Sequence, residues 1–188
     1  MATTSDIRNG LCIKHNHKLM QIIEFQHVKP GKGPAFVRTK MKGIEDGRVL
    51  DHTFPAGHKI ETVRIENRPY QFLYMEGAGY HFMHTENFEQ IFVEGHMIDK
   101  PDFLKEGMVC IIIFHAEEEM PLIVEQPQFL EAEVTYTEPG IKGDTATNTM
   151  KPATIDTGAE VRVPLFIDTG DKIKVDVQKG VYVERVKS

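Results

Sequence analysis

The sequence predicts an all-β protein built as three consecutive small barrels. Three observations carry this expectation. Runs rich in Val, Ile, Phe and Tyr recur along all 188 residues, punctuated by Gly and Pro. Several runs alternate apolar with polar residues, the pattern of a strand with one face on a core. A Phe–turn–Gly–strand unit also recurs: "FPAGHKIETV" from Phe54, "FLKEGMVCIII" from Phe103 and "FIDTGDKIKVDV" from Phe166. Helix is expected to be minor.

In the first third, "QIIEFQHV" (Gln21–Val28) and "AFVRTKM" (Ala35–Met41) read as the two strands of a long hairpin. Pro30-Gly31 in its loop suits the central positions of a type II turn, which needs φ > 0 at the glycine. "EDGR" (Glu45–Arg48) marks a further turn. In the middle third, "RPYQFLYMEGAGYHFMHT" reads as two aromatic-rich strands around Glu76-Gly77-Ala78-Gly79. "NFEQIFV" (Asn87–Val93) reads as a short helix and "MVCIIIFH" (Met108–His115) as a buried strand. "MPLIVEQP" follows the acidic turn Glu117–Glu119. The last third offers "FLEAEVTYTEP", a Gly/Thr-rich loop "GIKGDTATNTMKP", "AEVRVPLFI", and a final hairpin around Gln178-Lys179-Gly180.

Charge divides with the same rhythm. Residues 1–64 carry 11 Lys and Arg against 6 Asp and Glu, a net +5; residues 65–128 come to −9 and residues 129–188 to −2. A basic first third on an acidic chain points to an oriented contact with phosphate. The two cysteines, Cys12 and Cys110, sit among aliphatic residues, so buried free thiols are expected rather than a disulfide framework. With no leader-like segment and no apolar run near ~20 residues, a soluble cytoplasmic protein is expected, with no membrane partner.

Enzyme chemistry finds little support. There is no Walker A loop, no dinucleotide-type glycine pattern between strand and helix, and no nucleophile constellation. His15, His17, Glu24 and Gly31 approach the first metal motif of cupin barrels, but two gaps miss the spacing. A one-residue slip turns a strand side chain to the opposite face. Exposed hairpin histidines are therefore expected, with no metal and no cofactor. His81 and His84 fall on opposite faces of one strand. A general single-strand RNA binder would need a basic aromatic groove, which the −9 middle third opposes.

One feature of the first hairpin stands apart. Pro30, Gly31, Gly33 and Pro34 fence Lys32 in "PGKGP". Glycines on both sides allow close approach to a partner, prolines restrict the loop, and the lysine stem reaches roughly 6 Å. Lys29, Arg38, Lys40 and Lys42 lie nearby as candidate phosphate contacts.

"VKPGKGPAFVRTKMKG", "QFLYMEGAGYHFMHTENFEQ" and "KPATIDTGAEVRVPLFIDTGDKIKVD" together make the chain resemble bacterial elongation factor P over nearly its whole length. In the third stretch Lys151, Ala153, Gly158, Val161, Val163-Pro164, Ile167 and Gly170 carry the resemblance. It implies an SH3-like, KOW-type domain over 1–64 and OB-fold domains over 65–128 and 129–188, roughly tRNA-shaped. It implies a monomeric, non-enzymatic translation elongation factor. That factor binds the 70S ribosome between the P and E sites and relieves stalling at consecutive prolines by positioning the acceptor end of the P-site peptidyl-tRNA. Lys32 matches the family's tip residue and is a possible target of a lysine-modifying enzyme. Gly143, Asp144 and Thr145 match a loop near the E-site codon. Tyr182 and Arg185 match a C-terminal pattern that contacts ribosomal RNA.

Overall fold

A computed structural model describes residues 2–140 and 149–186. Strands, in three sheets, dominate the regular structure of the described residues, beside three short 3-10 turns. β1 (Ala2–Thr3), β2 (Cys12–His15), β3 (Lys18–Val28), β4 (Phe36–Gly43), β5 (Val49–Pro55) and β6 (Lys59–Thr62) form the first, in the order β1-β6-β2-β3-β4-β5. β7 (Ile65–Glu76), β8 (Gly79–His84), β9 (Gln90–Glu94), β10 (Val109–His115) and β11 (Met120–Glu125) form the second, in the order β11-β10-β7-β8-β9. β12 (Phe129–Thr137), β13 (Met150–Ile155), β14 (Glu160–Pro164), β15 (Lys172–Asp176) and β16 (Val181–Arg185) form the third, in the order β14-β13-β12-β15-β16. The chain divides into two compact units, Met1–Arg68 with Ile112–Ile123 and Pro69–Ile111 with Val124–Ser188.

Alternation fixes which face each strand buries. In β4, Val37, Thr39, Met41 and Gly43 point inward, so Arg38, Lys40 and Lys42 share the outer face. Ile7, Ile13, Met20, Ile22, Val37, Met41, Phe54 and Ile60 make the core of the first sheet. Beyond Ile22 no residue of β3 is buried. Val37 of β4 and its β5 partner Phe54 nevertheless carry the core to the foot of the loop 29–35, which lies at the far end of the hairpin.

The third sheet curls by a different device. A bulge between Val134 and Tyr136 divides β12, whose first half pairs with β15 and second half with β13. The edge strands β14 and β16 then come together, closing the curl. Lys151, part of the resemblance, is buried there, and its Nζ donates to the Glu138 carbonyl at 2.6 Å. Within the same unit, Phe103 is buried among Leu130, Val134, Ile173 and Val177. Its short 3-10 turn is anchored where Lys100 Nζ donates to the Gln178 carbonyl and Lys105 pairs with Asp156 at 2.7 Å.

Four expectations about strands and turns need correction. Asn87–Val93 is not helical: a turn holds Phe88 at φ 61°, and Gln90–Glu94 pairs with β8 as a strand. Phe88 and Phe92 have the four-residue spacing of a helix face, but sheet pairing decides. Met108–His115 is not buried throughout, since Val109 and Ile111 are 47% and 36% exposed while Cys110, Ile112 and Phe114 are inside. Gly31 does not take the positive φ of a type II turn; Gly33 does, at 115°. The recurring Phe unit is real only in its backbone. Gly57, Gly107 and Gly170 all take positive φ before a strand, yet Phe54 and Phe103 are buried while Phe166 is 61% exposed. Cys12 and Cys110 are buried free thiols, and burial pushes them up to about 11 and about 12 respectively. No helix among the described residues is long and apolar enough to cross a membrane.

Candidate functional site

Lys32 stands at the outer end of the β3–β4 ribbon, exposed along with every residue from Lys29 to Pro34. Val28 pairs with Phe36 and Phe36 with Pro55, so the sheet stops where the loop begins. Among the described residues no hydrogen bond or ion pair holds the Lys32 side chain. The fence is asymmetric. A Cβ on Gly31 would meet nothing within 4 Å. Gly33 sits in a region that L-residues adopt only with strain, and a Cβ there would lie 3.8 Å from Pro30 Cγ. The Pro30 ring thus closes back toward the far side of the loop, narrowing the paths open to Lys32.

Below the tip, the outer face of β4 carries Arg38, Lys40 and Lys42, while Lys29 lies in the loop. These cations are not equivalent. Lys40 faces Glu24 on β3 and Asp51 on β5, and its Nζ is 3.2 Å from Glu24 Oε1. Arg38 lies over the Phe36 ring, 5.5 Å from its centroid. Phe25, 37% exposed, joins Arg38 and Thr53 along a shallow depression. The face is thus a mixed strip with two freer cations, Arg38 and Lys42, rather than three equal ones. The sequence misses Glu24 as a neighbour of Lys40. A bulge between Ile22 and Glu24 sets that register, and only residue-by-residue pairing reveals it.

The histidines also regroup. His17 lies in the β2–β3 turn at φ 63°, and Glu24 faces Lys40, so neither meets His15. His15 is half-buried instead of hairpin-exposed. Its ring centroid lies 4.5 Å from that of His52 and 5.6 Å from that of Phe54, on which His58 stacks. Burial first, then His52 and His58, lower the His15 pKa from its ordinary 6.5. No described group of three His, Cys, Asp or Glu could hold a metal ion. The acidic turn is likewise engaged: Arg68 clamps Glu66 and Glu119, each at 2.7 Å.

Gly143, Asp144 and Thr145 lie outside the described residues. Tyr182 and Arg185 belong to β16. Tyr182 packs against the core of the third sheet, and Arg185 pairs with Asp171 at 2.7 Å. Neither is a free surface group like Lys32.

Comparison with known proteins gives a consistent result. Residues 3–60 match the model of the elongation factor P KOW-like domain, 65–123 that of its OB domain, and 130–185 that of its C-terminal domain. An elongation factor P from Flavobacterium johnsoniae is 59% identical over 188 residues, and one from Christiangramia forsetii is 57% identical; both alignments cover all of each chain. Among solved structures, a translation initiation factor eif-5a family protein from Naegleria fowleri is similar with a TM-score of 0.52. It is 15% identical, and the match covers 66% of this chain and 96% of that one, a likeness of fold.

Proposed function

The chain belongs to the elongation factor P family of translation elongation factors, and from that premise we propose that it binds the 70S ribosome between the P and E sites and speeds peptide-bond formation at consecutive prolines. The observation that carries the reading is Lys32: a cation at the tip of an exposed loop fenced by prolines and glycines, with no partner among the described residues. Such a side chain is built to reach into a narrow, phosphate-lined space.

Proline is a poor partner in peptide transfer, because its φ is fixed and its nitrogen is a constrained secondary amine. The slow step is then alignment of two tRNA ends. Holding the P-site acceptor end in a productive geometry lowers an entropic barrier without any catalytic side chain. Bond formation stays with ribosomal RNA, so the protein is a positioning factor and not an enzyme. It works as a monomer in the cytoplasm. Arg38 and Lys42, with Lys29 and Lys40, hold phosphates beside the tip. Gly143, Asp144 and Thr145 approach the E-site codon, and Arg185 with Tyr182 contacts ribosomal RNA. We place the domain limits at 64/65 and 128/129, in the short gaps between β6 and β7 and between β11 and β12.

Pro34 adds a finer proposal. Closing the loop from its second side, a proline compatible with its φ removes about 0.4–1 kcal/mol of freedom from the flexible state. That raises the productive population roughly two- to fivefold and replaces part of the ordering that a modification of Lys32 would supply. Unmodified recombinant protein is therefore expected to stay active, and Pro34→Gln to lose activity at unchanged stability. The test is in vitro translation of two reporters, one with consecutive prolines and one without. Stimulation confined to the proline reporter supports the reading; equal stimulation of both, or of neither by host-purified protein, defeats it. If only host-purified, heavier protein works, the rigid-loop proposal fails while the positioning role stands.

A further inference from the structure

The second sheet carries an outward face that the role of Lys32 does not use. Tyr74 on β7, His81 on β8 and Phe92 on β9 are directly cross-strand neighbours. Their rings form a continuous ladder. Tyr74 and His81 stack with centroids 4.5 Å apart and planes 22° from parallel, and Phe92 meets His81 edge-on at 5.6 Å. Tyr74 is 50% exposed and Phe92 55%.

The next row along the same strands is Glu76, Gly79 and Glu94. Gly79 has no side chain, and the Phe92 ring lies in the space a Cβ would fill, within 1.7 Å of its position. The ring thereby lies over Gly79, the residue paired with both Glu76 and Glu94. Glu76 Oε2 lies 3.5 Å from His81 Nε2, and Glu94 Oε2 lies 3.2 Å from His96 Nδ1. The two glutamate side chains are 77% and 65% exposed. Among the described residues no lysine or arginine pairs with either.

This combination has a definite chemical complement. Exposed aromatic faces attract a cation, and carboxylates at their margin that hold no lysine or arginine accept its N–H groups. The region 65–128 bears −9, so a polyanion is repelled. A purely apolar partner would leave the carboxylates desolvated and unpaired. The planar guanidinium satisfies both features at once, stacking on a ring while its fork reaches a carboxylate, which a lysine ammonium does less well. We propose that Tyr74, His81 and Phe92, with Glu76 and Glu94, dock an arginine-bearing basic segment of a protein partner.

The experiment titrates the full-length, isotope-labelled protein with a capped Gly-Arg-Gly-Arg-Gly-Arg-Gly peptide while following aromatic and amide resonances. Shifts should cluster at Tyr74, His81 and Phe92 and weaken with added salt. Replacing arginine by neutral citrulline should remove them. The double variants Tyr74→Ala/Phe92→Ala and Glu76→Gln/Glu94→Gln should each weaken binding by about fivefold or more. Phe166→Ala, an exposed aromatic after β14, should not. The proposal is overturned if citrulline peptide binds equally, if neither double variant matters while the fold is retained, or if the peptide shifts nothing. It is also overturned if a ten-residue oligouridine shifts the ladder instead. Concentration-dependent self-association abolished by Phe92→Ala would likewise replace it with a contact between copies.

Discussion

The β3–β4 and β7–β8 hairpins each lie inside a larger sheet, yet they expose chemistry in opposite places. The first ends in a seven-residue loop, 29–35, that presents one lysine at its tip. The second turns in two residues, Gly77 and Ala78, and presents nothing at its tip but a row of rings across its face. The first lies in the +5 region and the second in the −9 region. A ribbon's end suits a narrow target that must be entered, whereas its face suits a target that lies alongside. Loop length and register choose between the two.

The largest effect should come from the tip. Lys32→Ala is expected to abolish stimulation of the consecutive-proline reporter while leaving the melting temperature unchanged, because nothing packs on that side chain. Full activity would remove Lys32 from the role. Next come the two glycines. Gly33→Ala forces a left-handed residue costing about 1–2 kcal/mol, so activity should fall roughly five- to thirtyfold. Gly31→Ala, in open space, should stay within about twofold of wild type. Equal losses would show that the asymmetry of the fence is irrelevant.

Charge reversal sharpens the comparison further. Arg38→Glu with Lys42→Glu should weaken ribosome binding by about three- to tenfold at physiological salt. Lys172→Glu with Lys179→Glu, on the third sheet, should do less, and identical losses would argue against an oriented contact. Lys40, Lys100 and Lys105 are poor choices for this test because each already holds a partner. In the second hairpin, Gly79→Ala should evict the Phe92 ring at a cost of about 0.5–1.5 kcal/mol, visible as altered aromatic resonances and a small drop in melting temperature. Unmoved Phe92 resonances would contradict the packing described.

The smallest effect is one of pH. His15 binds its proton less readily folded than unfolded, because burial and the neighbouring His52 and His58 disfavour the charge. The unfolded chain therefore takes up the extra proton as pH falls through 6.5, and stability should decline there. Asp46, Glu66 and Glu119 are held low by hydrogen bonds from Lys18, Arg68 and Arg68 respectively, so their loss belongs to a more acidic window. His15→Gln should flatten the melting-temperature slope between pH 6.5 and 5.5 and leave the acid limb intact. An unchanged slope would exclude the cluster as its source.

Much of this was legible in the residues. Alternation and Gly/Pro punctuation specify strands locally, and the fenced lysine announces itself because Pro and Gly act on their own backbone. What needed the structure was pairing. Lys40 looks as free as Lys42 until the bulge after Ile22 brings Glu24 beside it. The two glycines of the fence look equivalent until Gly33 alone takes a positive φ. Phe92 looks helical until β8 claims its backbone, and His15 looks exposed until His52 arrives from β5. Apart from the glycines, each depends on a strand partner that local pattern cannot name.

Phe103 gives the protein a timetable. The side chain belongs to the core of the third sheet, yet the chain delivers it well before Leu130, Ile173 and Val177. At about 5–20 residues per second, several seconds of synthesis pass before the last of these emerges. Throughout that interval Phe103 lacks Ile173 and Val177, two members of the cluster in which it is buried. A nascent chain halted before β15 would therefore lack part of the core that covers Phe103, leaving that ring to whatever chaperone attends the tunnel exit.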